Sequence, residues 1–210
     1  MLSLPAVLRD TARIYRALFG RTVVVAGLVF AVVCLVETVG PWSVVLLSLV
    51  GTAVVQGALI EAVDQRREHR GEPLLRATSR RAGGLLGVSL LTGIGVAVGL
   101  FLLIVPGLIL FTRWSLAVPA VMLEGRSPRD AMRRSRELVR GHDWQVFAVF
   151  LTVTVAAGLA SLGIERALSP VLGLWLSLTL ASTLTTPFAA HALNVVYYRI
   201  VDPGRPVLQD

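Results

Sequence analysis

Long apolar runs separated by short polar stretches make up most of the chain. A helix that crosses a bilayer needs about 20 mostly apolar residues, and the pattern contains six such runs. They cover residues 22–40, 42–63, 82–105, 107–123, 144–164 and 171–198. The pattern therefore predicts an all-α, polytopic integral membrane protein with six transmembrane helices, and a single membrane domain over residues 1–210.

The polar stretches are rich in arginine on only one side of the predicted membrane. Eighteen of the twenty arginines lie before the first run, between runs two and three, between runs four and five, or after the last run. Because cytoplasmic loops carry an excess of basic residues, we expect both termini in the cytoplasm. The external loops are then short, at residues 39–41, 105–107 and 165–170.

The composition excludes several classes of protein. Hydrophobic residues make up 55% of the 210 positions and charged residues only 16%, whereas a soluble domain carries roughly 25% charged residues. An ordinary soluble enzyme and a disordered chain are therefore excluded. The single cysteine, Cys34, excludes an intrachain disulfide.

Residues 127–140 have the pattern of a surface helix. Ser127 is a favourable N-cap, and Pro128 suits the first helical position. Small and apolar residues follow on one stripe, and four arginines occupy the other side: Arg129, Arg133, Arg136 and Arg140. This pattern predicts an amphipathic helix on the cytoplasmic membrane surface, whose arginines contact anionic lipid headgroups.

The same plan recurs elsewhere in the chain. Residues 4–19 and the start of the stretch at 72–76 resemble residues 127–140 in their proline, apolar stripe and arginines. The recurrence predicts three parallel repeats, each an interfacial helix followed by two spans, over about 3–64, 72–124 and 127–200. The alternative is that any surface helix followed by a helical hairpin shows this pattern.

Arg113 lies inside the fourth apolar run. A charge at the centre of a membrane helix costs about 2.5–3.5 kcal/mol, so such a residue usually has a partner. Glu37, near the outer end of the first run, has a suitable depth. Three interpretations are open: a structural Arg113–Glu37 pair, an arginine that reaches the outer headgroups, or a binding site for an anionic group.

A second group of polar residues lies toward the cytoplasmic ends of the even-numbered runs. It consists of Gln56, Glu61, Glu124, His191 and Asn194. These residues either line a cavity open to the cytoplasm, or pair with nearby arginines and stabilise the fold. The sequence contains no metal-ligand spacing and no recognisable catalytic motif. We therefore expect no metal, no cofactor and no enzymatic activity.

One set of residues carries a family resemblance. It comprises Ile104-Val-Pro106-Gly107, Arg113, Ala117-Val-Pro119-Ala, Glu124, Ala131-Met-Arg-Arg-Ser135, Leu138, Gly141 and Trp144. Over residues 72–150 this set resembles the YciC-like bacterial membrane proteins, which are related to the membrane domain of glycerophosphodiester phosphodiesterases. The resemblance implies a bacterial inner-membrane protein of a family whose function is largely unassigned. The catalytic barrel of the phosphodiesterases is not expected, because the sequence has no soluble stretch to build it.

Two functions follow from these observations. The first is a non-enzymatic inner-membrane protein that binds anionic lipid and organises or assists a membrane process, a partner protein or a second copy of the chain. The alternative is a small transporter or lipid-handling channel with a site at Arg113. Nucleic acid is not an expected partner, because the arginines alternate with an apolar stripe suited to a membrane.

Overall fold

The structure is a computed structural model that describes residues 3–36, 41–68, 78–102, 104–204 and 207. Helices make up the secondary structure of these residues, which confirms the predicted all-α class. In chain order they are α1 (Leu4–Val36), α2 (Pro41–Glu68), α3 (Ala82–Leu102), α4 (Ile104–Trp114), α5 (Ala117–Glu124), α6 (Pro128–Val139), α7 (Asp143–Leu172) and α8 (Leu174–Val201).

Within the described residues, four helical stretches have the length and apolar composition needed to cross a membrane. They are Leu4–Val32, Ala82–Gly99, Gly107–Glu124 and Asp143–Leu172. The third stretch consists of α4 and α5, which a short break separates at residues 115–116. The two remaining predicted spans coincide with α2 and α8, which are helices of 28 residues each. The described residues therefore confirm an all-helical protein with four candidate membrane spans, and the count of six stays a prediction.

Helix α1 differs from its prediction. The pattern separates a surface helix at 4–19 from a span that begins at residue 22, but the structure has one continuous helix of 33 residues. The Thr22 hydroxyl donates to the Leu18 carbonyl at 3.0 Å, and so stays within the helix at the expected junction. A helix of this length measures about 50 Å. It exceeds the hydrocarbon thickness of about 30 Å, so one helix has room for both segments.

The turns also differ from their predicted places. Helix α7 continues through residues 165–170, which were predicted to form an external loop, and the chain reverses at Gly173, where φ is +78°. Glycine adopts this left-handed conformation without a steric penalty. Pro106 was predicted to end the third span, but it lies in the first turn of α4. Proline is tolerated there because the first-turn N–H groups have no helical partner.

Helices α3 and α4 run antiparallel in close contact. A Cβ atom added at Gly99 would lie only 2.9 Å from the Cα atom of Gly107, and one added at Gly95 would overlap the Trp114 ring. The small residues Gly95 and Gly99 therefore allow the two helices to approach closely. On the outside of this pair apolar side chains are exposed, among them Phe101 at 92%.

The main core lies at one end of the bundle. It brings together Leu18 of α1, Val63 of α2, Val149 of α7 and Val196 of α8. Away from this core, α7 has a largely exposed apolar surface. Only 11% of its most apolar stretch of 18 residues is buried. Such an extended apolar surface is typical of a surface that contacts lipid or another protein.

Candidate functional site

Helix α6 begins where the sequence predicts. The Ser127 hydroxyl accepts a hydrogen bond from the backbone N–H of Asp130 at 3.4 Å and donates one to the Asp130 carboxylate at 2.6 Å. Pro128 occupies the first turn. The Ser127 hydrogen bond, together with the nearby Arg133 guanidinium, lowers the pKa of the Asp130 carboxyl. The predicted N-cap is therefore confirmed.

The two sides of α6 differ in burial. The side packed on the protein consists of Ala131, Ser135, Leu138 and Val139. The four arginines predicted to contact headgroups are all exposed, namely Arg129, Arg133, Arg136 and Arg140. Helix α6 therefore presents its arginines to the surroundings and its small and apolar residues to the bundle.

A buried serine of α6 forms hydrogen bonds to the backbone at the break between α4 and α5. The Ser135 hydroxyl donates to the Arg113 carbonyl at 2.8 Å and accepts from the Leu116 N–H at 3.1 Å. Both groups lie near helix ends, where backbone groups lack helical partners. Ser135 has no exposed surface, so water cannot replace these bonds. Ser135 was expected only in the stripe of small and apolar residues and in the set that carries the resemblance, so this hydrogen-bonding role was missed.

The structure places Arg113 beside the beginning of α7. Its Nε atom lies 3.3 Å from Oδ1 of Asp143, and its side chain is 52% exposed. The side chain therefore occupies an open position, not a closed bundle interior. The predicted partner Glu37 lies outside the described residues, so the Arg113–Glu37 pair stays a prediction.

Arg113 contributes to a basic pocket of about 270 Å³, which we call the arginine pocket. Its lining consists of Arg113, Arg133, Arg136, Glu137, Arg140 and Asp143. Two of the guanidinium groups have charged partners, since Arg113 pairs with Asp143 and Arg133 pairs with Asp130 at 2.8 Å.

The other two guanidinium groups of the arginine pocket are available to a ligand. Arg136 lies over the Trp114 ring, 5.3 Å from its centroid. Neither Arg136 nor Arg140 forms an ion pair with a carboxylate in the described part of the chain. Guanidinium groups without a carboxylate partner can bind phosphate and carboxylate oxygens through paired hydrogen bonds.

Glu124 is held in a network that connects three helices. Its carboxylate accepts hydrogen bonds from Arg126, from Arg134 at 3.1 Å and from the Tyr197 hydroxyl at 2.8 Å. A nearby arginine such as Arg126 was the predicted partner, whereas Arg134 and Tyr197 were missed. Glu124 therefore serves to join α5, α6 and α8.

The other predicted polar residues have different surroundings within the described part of the chain. Gln56 and Asn194 line a pocket of only about 10 Å³, which has room for about one water molecule. Glu61 instead accepts a hydrogen bond from Gln65 at 3.1 Å. His191 is fully buried, and neither ring nitrogen has a hydrogen-bond partner among the described residues.

A further polar cluster at the same end of the bundle was not predicted. It contains Arg199 paired with Asp10 at 2.6 Å, Arg67 paired with Asp202 at 3.3 Å, and the Tyr198 hydroxyl bonded to Asp64 at 3.1 Å. The Arg67 guanidinium also lies 4.0 Å from the centroid of the Tyr198 ring. These contacts join α1, α2 and the end of α8. The sequence signal that could have indicated this cluster is the presence of acidic residues in the arginine-rich stretches.

Comparison with known proteins identifies one family. No curated protein and no solved structure matches the chain significantly. The family model described as the membrane domain of glycerophosphoryl diester phosphodiesterase matches residues 87–200, more than half of the 210 residues. The matched part includes the helix break, all of α6 and the arginine pocket, whereas the narrower YciC-like grouping stays a prediction. The chain therefore belongs to the family of the membrane domain of glycerophosphoryl diester phosphodiesterase.

Proposed function

We propose that this chain is a non-enzymatic, multi-pass protein of the bacterial inner membrane that binds anionic lipid and thereby organises or assists a membrane process. The observation that carries the proposal is the exposed arginine side of α6, which continues into the arginine pocket. Near an anionic membrane surface, each such arginine contributes about 1 kcal/mol of attraction. A protein partner or a second copy of the chain is a further candidate for what is organised.

The proposed topology has six spans, with both termini in the cytoplasm. This topology is supported by the ion pairs of Asp10, Arg67 and Arg199. They bring the start of α1 and the ends of α2 and α8 together at one end of the bundle. Helix α6 is held at that same end through Glu124 and Arg134. Most arginines then lie on one side, as the positive-inside rule requires.

The proposed threefold repeat has uneven support. In the third unit a separate helix, α6, precedes α7 and α8, as the repeat requires. In the first unit the corresponding residues continue directly into the span as part of α1. The repeat therefore stays a prediction, and the lipid-binding proposal does not depend on it.

The alternative function, a small transporter or lipid-handling channel, has one supporting observation. Arg113 is half exposed beside the arginine pocket, so an anionic group has access to it. The small pocket between Gln56 and Asn194, at about 10 Å³, is too narrow to hold a solute larger than water. The observations thus favour lipid contact over passage of a solute.

The test replaces the four exposed arginines of α6 and its C-cap, Arg129, Arg133, Arg136 and Arg140, by glutamine. The purified protein is exchanged into mixed micelles of dioleoyl phosphatidylglycerol and dioleoyl phosphatidylcholine, and the retained lipids are quantified. We expect the parent to enrich phosphatidylglycerol and the glutamine variant to lose that preference. A matched variant with four lysines keeps the charge and should keep the preference. An unchanged preference in the glutamine variant would contradict the proposal.

A further inference from the structure

An apolar pocket of about 330 Å³ adjoins the arginine pocket. Its lining consists of Leu108, Ile109, Thr112, Asp143, Trp144 and Phe147. Asp143 lines both pockets, and Thr112 and Arg113 are neighbours in α4. An apolar cavity and a cationic cavity therefore meet at the contact between α4 and the first turn of α7.

The local structure explains why the walls of this pocket are apolar. In each helix, the second and third lining residues lie one and four positions after the first. This is a helical spacing, so the lining residues share one side of their helix. The Thr112 hydroxyl donates to the Leu108 carbonyl at 2.8 Å, so its polar group is satisfied within the helix. The Asp143 carboxylate is directed to Arg113.

The pocket is open to the surroundings, and a ring contact joins its two helices. Trp144 is 77% exposed and Ile109 is 47% exposed. The rings of Phe111 and Phe150, 4.3 Å apart between centroids, hold α4 against α7 next to the pocket. A hydrocarbon chain has access from the side without any change in the fold.

We propose that the two pockets together bind one anionic phospholipid molecule. Its phosphate lies on Arg136 and Arg140 in the arginine pocket, and one acyl chain lies along Ile109 and Trp144 in the apolar pocket. This inference rests on the proposed function and deepens it, because it replaces a general attraction to anionic lipid by one defined site.

Charge and shape together select this ligand. Four arginines and two carboxylates line the arginine pocket, so it carries a net positive charge even after the Arg113–Asp143 pair is formed. A soluble phosphate would occupy only the arginine pocket, and an uncharged hydrocarbon only the apolar one. A phospholipid has a phosphate for the arginine pocket and an acyl chain for the adjoining apolar pocket.

The first arm of the test compares single arginines by native mass spectrometry with dioleoyl phosphatidylglycerol. Arg136→Gln and Arg140→Gln should each weaken binding of the first lipid molecule about fivefold. Arg129→Gln removes the same charge from an exposed position of α6 outside the arginine pocket, and should leave that first binding step unchanged. Equal weakening by all three substitutions would overturn the defined site while the general lipid-binding proposal stands.

The second arm fills the apolar pocket without a change in charge. Ile109→Trp should block the acyl chain and weaken binding of the first lipid. Leu159→Trp is the matched control. Leu159 is also exposed, at 66%, but it lies in α7 and outside the lining of the apolar pocket. Thermal unfolding of both variants verifies the fold. Equal lipid binding by Ile109→Trp and the parent would overturn the inference.

The third arm identifies the source of the phosphate. Inorganic phosphate and glycerol 3-phosphate are added as competitors, and dioleoyl phosphatidylcholine serves as the lipid without net charge. We expect the soluble phosphates not to displace phosphatidylglycerol, since they lack the apolar contact, and phosphatidylcholine to bind more weakly. Displacement by inorganic phosphate at concentrations comparable with the lipid would overturn the lipid assignment in favour of a soluble anion.

Discussion

At the scale of single residues, Ser135 has a larger structural role than its size suggests. One hydroxyl of α6 satisfies a carbonyl at the end of α4 and an N–H before the start of α5. A buried backbone group left without a partner costs about 1–3 kcal/mol. The position of Arg113 at the arginine pocket therefore depends on a side chain that is 22 residues away in the sequence.

Ser135→Ala should lower the free energy of unfolding by about 2–6 kcal/mol, because it leaves two groups unpaired, the Arg113 carbonyl and the Leu116 N–H. The comparison is Ser115→Ala. Ser115 is also buried, but its hydroxyl only donates to the Thr112 carbonyl within the same turn, so we expect a smaller loss. Unfolding in detergent, followed by circular dichroism, measures both. An equal or smaller effect of Ser135→Ala would show that the break is stabilised by other contacts.

The Arg113–Asp143 pair should contribute little to stability. Both side chains are about half exposed, and exposed ion pairs are worth about 0–1 kcal/mol. Arg113→Gln and Asp143→Asn should therefore each change the free energy of unfolding by less than about 1 kcal/mol. The same unfolding measurement tests this. A loss above about 3 kcal/mol for Arg113→Gln would indicate a buried charged partner, and Glu37 would then be the residue to replace in a double variant.

At the scale of helices, the boundaries were predictable only where side chains determine them. The sequence Ser127-Pro128 predicts the start of α6, since capping and proline act within one turn. Pro106 was interpreted as the end of the third span, yet it lies in the first turn of α4, and Pro170, expected in an external loop, lies inside α7. A proline ends a helix only when the surrounding packing does not compensate for the lost hydrogen bond, and packing is not visible in a local pattern.

The contact between α3 and α4 should depend on Gly99. Gly99→Ala places a Cβ atom 2.9 Å from the Cα atom of Gly107, where backbone has to move, so we expect a loss of about 1–3 kcal/mol. Gly83 is a control in the same helix, because a Cβ atom added there has no neighbour within 4 Å. Gly83→Ala should be neutral or stabilising by up to about 1 kcal/mol. Equal melting temperatures for the two variants would contradict the close approach.

At the scale of the whole molecule, the sequence predicted the class of protein and the arginines of the site, but not how the site is assembled. Hydropathy and charge are properties of each segment, so the helical membrane class and the exposed arginines of α6 follow directly. Asp143, the Glu124–Tyr197 bond and the apolar pocket depend on which helices meet. Those contacts join residues far apart in the chain, and no local pattern records them.

The proposed topology leads to a prediction about accessibility in intact cells. A chain with Cys34 replaced by alanine receives one new cysteine, at Arg166 in α7 or at Arg129 in α6, both of which are exposed. Because the arginine-rich stretches belong on the cytoplasmic side, a membrane-impermeant maleimide added outside should label position 166 and not position 129. After permeabilisation both positions should react, and the cysteine-free chain should not react at all. Labelling of position 129 from outside would place α6 on the external surface, and the proposed contact with the anionic cytoplasmic leaflet would then be wrong.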